Sequence, residues 1–249
     1  MNTQPVPLAP SPTVVSRRLP PRPPRATPST THRAPAQTRR GTSRSVLRVG
    51  RAAGLAVGWL LAGVVWAWGA ERWQPLWDGK TFQGWHIIGR GTWKVEDGAI
   101  HGTHSAQEPE FSHLVTDRTF RDFTVRLKFK AVRGNSGFYF RIEEAGYSGV
   151  SGFQAEIDAE RDVGGLYETN GRAWVVQPKP EDVQRYFKPG EWNEMTVRAH
   201  GGHLVVHVNG VKSAELQDDP GRREGKLALQ LHGGQDCDVW FKDIELLVE

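Results

Sequence analysis

The sequence predicts an all-β sandwich or jelly roll over residues 71–249, and two observations carry that prediction. Short runs of alternating apolar and polar residues recur at close intervals, separated by Gly, Asn, Asp and Pro. Helical periodicity is nearly absent, and Glu181 to Phe187 is the single short helix the pattern allows. Many short strands with regular turn signals are the pattern of a two-sheet β domain.

The elements follow in order. Leu76-Trp77-Asp78-Gly79-Lys80-Thr81-Phe82-Gln83-Gly84-Trp85 opens the domain. Thr92 to Glu96 and Ala99 to Gly102 flank Asp97-Gly98, a pair suited to a type I′ hairpin turn. Phe123, Val125, Leu127 and Phe129 alternate with polar residues, as a half-buried strand does. Residues 137–142 and 153–158 are two further strands, and Leu166-Tyr167 follows Gly164-Gly165. Met195 to Arg198 and Leu204 to Val208 come next, with Asn209-Gly210 turning the latter into Val211. Lys226 to His232 and Asp238 to Val248 close the chain. Trp192 and Trp240 are assigned to the core, and Trp85 and Trp174 to either the core or a sugar platform. Cys237 alternates with Val239 and Phe241 and reads as a small buried hydrophobe; as the one cysteine of the chain it has no intrachain partner.

Charge separates the leader from the domain. Residues 1–70 contain ten Arg, no Lys and no acid. Taking those ten from the 32 Lys+Arg leaves 22 against 28 Asp+Glu in residues 71–249, a net −6. The domain is acidic, which argues against a nucleic-acid partner. Residues 1–51 are rich in Pro, Arg, Ser and Thr and read as a disordered leader. Residues 52–70 are uncharged and mostly apolar and follow Arg48 and Arg51, as in an export signal or a membrane-anchor helix. Ala67-Trp68-Gly69 offers small residues for cleavage, whereas Trp66 and Trp68 suit a membrane interface. Arg39-Arg40 lacks the apolar residues that follow a twin-arginine pair. In either case the domain is expected outside the cytoplasm, periplasmic or extracellular, with anchoring in the inner membrane through residues 52–70 left open.

Three strands point to a site. In Gly134-Asn135-Ser136-Gly137-Phe138-Tyr139-Phe140-Arg141 a turn feeds a strand whose polar face holds Tyr139 and Arg141. In Phe153 to Asp158 the polar face holds Gln154, Glu156 and Asp158, and in Leu227 to His232 it holds Gln230 and His232. If the strands share one sheet, these faces form one concave polar patch. Glu156 and Asp158 point the same way, so their charges disfavour double ionisation and raise one pKa. The plain alternatives are a cross-strand ion pair of Arg141 with a carboxylate, and an ordinary solvated face for Gln230 and His232. His203 and His207 share a strand face and, like His101 and His104, invite a metal reading; a solvent-exposed pair is the simpler one.

The motifs Leu76-Trp77-Asp78-Gly79-Lys80, Gly134 to Arg141, Gly152 to Asp158, Gly164-Gly165-Leu166-Tyr167-Glu168, Gly190-Glu191-Trp192-Asn193 and Gly225 to His232 occur in an order and spacing that resemble the 3-keto-disaccharide hydrolase domain family. The resemblance covers residues 73–249. It implies a concanavalin A/LamG-like jelly roll, export from a bacterial cell, and action on oxidised glycosides. A ketone at C3 acidifies the C2 proton, so a base can open the C1–O bond by elimination, with water adding afterwards. On this reading Glu156, Asp158, Arg141 and His232 are the catalytic candidates. Asn135, Tyr139, Gln154, Tyr167, Trp174 and Gln230 are the substrate-binding ones. A divalent metal on Glu156, Asp158 and His232 stays open, and a non-catalytic carbohydrate-binding module is the rival.

Overall fold

The computed structural model describes residues 72–248, so the basic leader and the apolar segment 52–70 lie outside the described residues. Fifteen strands and one helix form two antiparallel sheets. The first sheet runs β13 (Val211–Leu216), β12 (His203–Val208), β11 (Asn193–His200), β6 (Phe123–Arg133), β15 (Cys237–Val248), β4 (Ala99–His104), β3 (Thr92–Glu96), with β1 (Arg72–Pro75) on β15. The second runs β10 (Ala173–Val176), β9 (Leu166–Thr169), β8 (Gly149–Asp158), β7 (Asn135–Ala145), β14 (Lys226–Leu231), β5 (Ser112–Thr116), β2 (Trp85–Gly89). Helix α1 is Pro180–Tyr186, where the pattern placed it.

Alternation supplies the core. Phe123, Val125, Leu127 and Phe129 from β6 pack with Phe138, Phe140, Phe153, Ile157, Leu227 and Leu229 from the facing sheet, all of them buried. Each such side chain contributes roughly 1.5–3 kcal/mol of burial. Cys237, Val239 and Phe241 join this cluster as their spacing requires. Trp85 is buried at 6% exposure and belongs to it too. Asp97-Gly98 and Asn209-Gly210 all adopt positive φ, 51°, 69°, 50° and 79°, the backbone a type I′ turn needs.

Trp192 and Trp240 depart from expectation. Trp240 alternates with Val239 and Phe241, so it faces out of the sandwich. It stacks on His101 with centroids 3.8 Å apart, and Lys130 lies 4.6 Å above its ring. Trp192 is only partly buried, with Lys242 at 4.2 Å from its ring centroid. Both cover the outer face with cation–π contacts in place of core packing.

A bulge in β7 sets the position of Arg141. Phe140 pairs with Phe153, but the next matched pair is Glu143 with Ser151, so the register slips by one residue. Arg141 takes up the slip at φ 52°. A side chain at Gly152, on β8, or at Gly225, just before β14, would meet the Arg141 backbone at 2.7 Å or 2.4 Å, so the bulge is accommodated by glycine on both sides. Past the bulge it is Ile142, not Arg141, that joins Tyr139, Val115, Val150 and Ala228 in the apolar cluster outside the main core.

Candidate functional site

The order β8, β7, β14 puts the three polar-faced strands side by side. Their outward face, with β5, β9 and β10, makes a cavity of about 560 Å³, a usual size for a small-ligand site. Asn135, Tyr139, Gln154, Glu156, Tyr167, Trp174, Gln230 and His232 all line it, so eight of the ten sequence candidates converge. A second hollow of about 510 Å³ shares Asn135, Glu156, Trp174 and His232 with the first and adds Asp158, Glu160 and Asp162. Asp158 therefore lies next door and not in the main cavity.

Arg141 is the candidate the fold removes. Its guanidinium is fully buried and lines neither hollow. Nε and Nη2 donate to the Arg121 carbonyl at 3.1 and 2.9 Å, Nη1 to the Gly201 and Arg222 carbonyls at 2.8 and 3.1 Å, and Nη2 to Asp122 at 3.2 Å. Arg141 is a clasp for three loops. The predicted alternation with Tyr139 fails because the bulge shifts the strand's phase by one residue. The alternative ion pair with Glu156 or Asp158 is also absent; the partner is Asp122.

Glu156 lies between the two hollows and is 5% exposed. Burial pushes its carboxyl up to about 8; the charges of Asp158 and Asp162 add to the rise, and the hydrogen bond from Asn135 opposes it. The neighbouring carboxylate, expected from the spacing to raise the pKa, is thus the lesser cause, and desolvation is the larger one. Asn135 Nδ2 donates to Glu156 and, at 3.1 Å, to Asp158. Asp158 Oδ1 accepts the backbone N–H of Glu160 at 2.7 Å and of Arg161 at 3.1 Å, so it also closes the turn after β8.

A chain of neutral polar groups crosses the floor. Gln154 Nε2 donates to the Ser136 carbonyl at 3.2 Å and to Gln230 Oε1 at 3.3 Å. Gln230 Nε2 donates to the Tyr139 hydroxyl at 3.1 Å, which lies 2.9 Å from the Thr169 hydroxyl. Gly137 makes room for this chain, since a Cβ there would stand 2.4 Å from Gln154 Nε2. Burial raises the Tyr139 phenol, so it stays protonated. The wall is aromatic: Tyr167 and Trp174 pair across β9 and β10 with rings edge to face at 5.3 Å, and Phe111 meets His232 at 4.7 Å. His232 Nδ1 lies 2.7 Å from the Gly233 carbonyl oxygen and 3.2 Å from the side-chain amide nitrogen of Gln235.

Sequence reasoning missed His113, Phe111 and Thr169, which also line the cavity. His113 stands on β5, where every residue is buried, so no polar face marks it. Among the described residues no three His, Cys, Asp or Glu side chains converge as a metal-binding group, and Glu156, Asp158 and His232 do not form one. His101 is held by Glu96 and Asp238, and His203 by Glu215 at 2.8 Å.

Residues 72–247 match the family model described as the 3-keto-alpha-glucoside-1,2-lyase-like domain. The chain belongs to this family. A relative from Bacteroides thetaiotaomicron named 3-keto-disaccharide hydrolase is 24% identical over 233 residues, 72% of this chain and 79% of the relative. Among solved structures, a Parabacteroides distasonis protein described as a candidate glycosyl hydrolase superposes with TM-score 0.52 at 23% identity, covering 70% of this chain and 93% of that one. The carbohydrate-binding module CBM66 of Bacillus subtilis superposes with TM-score 0.51 at 20% identity, over 65% of this chain and 93% of that one. The lyase-like domain thus has the jelly-roll fold its motifs implied.

Proposed function

We propose that this lyase-like domain cleaves 3-keto-glycosides, opening the C1–O bond by elimination and adding water, with Glu156 as the base. The observation that carries the reading is a carboxyl buried on a cavity wall and pushed up to about 8, the range in which a carboxyl can both take and return a proton near neutrality. Glu156 removes the C2 proton, and the electron pair moves onto the C3 oxygen. Collapse of the enolate breaks C1–O; His232, at the edge shared by both hollows, gives the leaving oxygen its proton. Water then adds at C1 and the proton returns to C2, so the sum is hydrolysis. No lysine or arginine lines the main cavity among the described residues, so the enolate oxygen is met by neutral donors, the hydroxyls of Tyr139 and Thr169 and the amide of Gln230. Tyr167 and Trp174 offer ring faces to the sugar. The family and the named relative support the substrate class.

The domain is incubated with an aryl 3-keto-glucoside and with the unoxidised glucoside. Release of aglycone from the first alone, lost in Glu156→Gln, supports the reading. Binding of both without release would make the domain a carbohydrate-binding module. Export is part of the same proposal: Arg48 and Arg51 ahead of the apolar 52–70 support it, and fractionation of cells expressing the full chain tests it.

A further inference from the structure

The mechanism leaves one buried group on the cavity wall without a task. His113, on β5, is 1% exposed and lines the main hollow. Its Nδ1 lies 3.1 Å from the Ser148 carbonyl oxygen. A carbonyl only accepts, so Nδ1 carries the proton and, in a neutral ring, Nε2 is left with a lone pair. Burial keeps the ring neutral by pushing its pKa down to about 4. The Nε2 atom is buried and has no hydrogen-bond partner. Phe111 stacks beside the ring at 6.2 Å and Tyr139 meets it edge-on at 5.3 Å, so its immediate ring neighbours hold the imidazole in place. An unmatched buried acceptor is costly, and native proteins keep few of them outside functional sites.

We propose that His113 Nε2 is the receptor for one hydroxyl of the bound sugar ring, and that it thereby decides which ring carbon can be the oxidised one. The inference rests on reading the hollow as a sugar site. A lone pair accepts a hydrogen bond from a hydroxyl but repels a ketone oxygen, which has only lone pairs to offer. The ring position facing His113 must therefore carry O–H. The ketone is left to the neighbouring donors, the Tyr139 and Thr169 hydroxyls and the Gln230 amide. A sugar oxidised at the carbon facing His113 is excluded by this one acceptor, whatever its overall shape.

The test uses the full chain carrying Glu156→Gln, so that ligand is not consumed, with 15N-labelled histidine. Methyl 3-keto-glucoside and methyl glucoside are titrated in turn while the His113 Nε2 resonance is followed. The expected result is that at least one sugar moves Nε2 toward the position of a hydrogen-bonded acceptor nitrogen. A panel of monodeoxy methyl glucosides is then bound to Glu156→Gln and to Glu156→Gln/His113→Leu. One deoxy position should cost about tenfold in affinity in the first background, the worth of one hydrogen bond, and nothing in the second. An Nε2 resonance unmoved by either sugar overturns the proposal, and so do identical deoxy penalties in both backgrounds. The resonance needs no His113 variant, so misfolding of His113→Leu cannot hide the answer. Wild-type turnover with a silent Nε2 sinks this inference alone; a shifted Nε2 without wild-type turnover sinks the catalytic reading and leaves the hydroxyl receptor standing.

Discussion

Asn135 grips Glu156 from the neighbouring strand: the side-chain amide of β7 donates to the carboxylate of β8 and reaches Asp158 through the same nitrogen. That nitrogen favours the ionised form of a group whose burial favours the neutral one. The position of Glu156 on the pH scale is the balance of these two effects, and the balance can be moved from either side.

Removing the amide moves it toward the neutral acid. A hydrogen bond to a charged group is worth roughly 1.5–3 kcal/mol, which corresponds to about one to two pH units. In Asn135→Ala the acidic limb of the kcat/KM profile on an aryl 3-keto-glucoside should move upward by about one pH unit. Turnover at pH 7 should fall by about tenfold and recover at higher pH. A limb that stays in place would mean that Asn135 does not tune the base.

Removing the charge tests the same balance through stability. Glu156 titrates about 8 in the folded chain against the ordinary 4.5. The unfolded chain therefore holds fewer protons than the folded one between these values, and stability falls as pH rises through that window. Glu156→Gln keeps an oxygen for Asn135 and has no proton to lose. It should abolish turnover and yet be more stable than wild type at pH 8 by a few kcal/mol, since each pH unit across the window is worth about 1.4 kcal/mol. The two melting curves should converge below about pH 4.5, the ordinary carboxyl value. Equal melting temperatures at pH 8 would contradict the buried-carboxyl account.

Arg141 should behave as a structural residue. Its five hydrogen bonds tie the backbone of Arg121, Gly201 and Arg222 and the carboxylate of Asp122. Arg141→Met leaves these acceptors without a donor and should cost about 3–5 kcal/mol. Arg141→Lys should restore little, because an ammonium cannot reproduce the planar fork. The folded fraction should keep its KM for the keto sugar within about twofold, since the side chain does not reach the cavity. A large rise in KM with unchanged melting would return Arg141 to the substrate.

The misplacement of Arg141 shows where alternation stops being informative. Tyr139, Gln154, Glu156 and Gln230 were legible because each lies in an unbroken run of period two, and turn pairs such as Asp97-Gly98 bounded the runs; Asn135 reads as a turn residue and is instead the first residue of β7. A bulge inserts one residue and inverts everything beyond it, and its trace in the sequence is indirect, Gly152 within β8 and Gly225 just ahead of β14. The order of strands in the sheet was an assumption that the topology supports. His113 was hidden for another reason: β5 is buried on both faces, so Ser112 to Thr116 carries no polar side to read. Trp240 went to the core on hydrophobicity although its own alternation with Val239 and Phe241 pointed outward.

His113 makes a pH prediction of the opposite sign to that of Glu156. Its ring is held neutral down to about 4, against 6.5 for an ordinary histidine. Between those values the unfolded chain binds the extra proton and the folded chain does not, so stability rises with pH. The contribution is complete above about pH 6.5 and is lost progressively as pH falls toward 4. At about 1.4 kcal/mol for each pH unit it amounts to roughly 3 kcal/mol across the window. Glu156 contributes the opposite slope between pH 4.5 and 8, so the two effects offset each other between about pH 6.5 and 4.5, and wild-type stability should change little there. His113→Gln, which has no ionisable ring, should remove the offset, so that stability rises as pH falls from about 6.5 to 4.5, while leaving the decline toward pH 8 in place. Urea melts at half-unit steps of pH separate the two limbs. A variant whose stability follows the wild-type curve between pH 6.5 and 4.5 would mean that the imidazole already takes up its proton in the folded chain, and with it that Nε2 is no longer a lone-pair acceptor below neutrality.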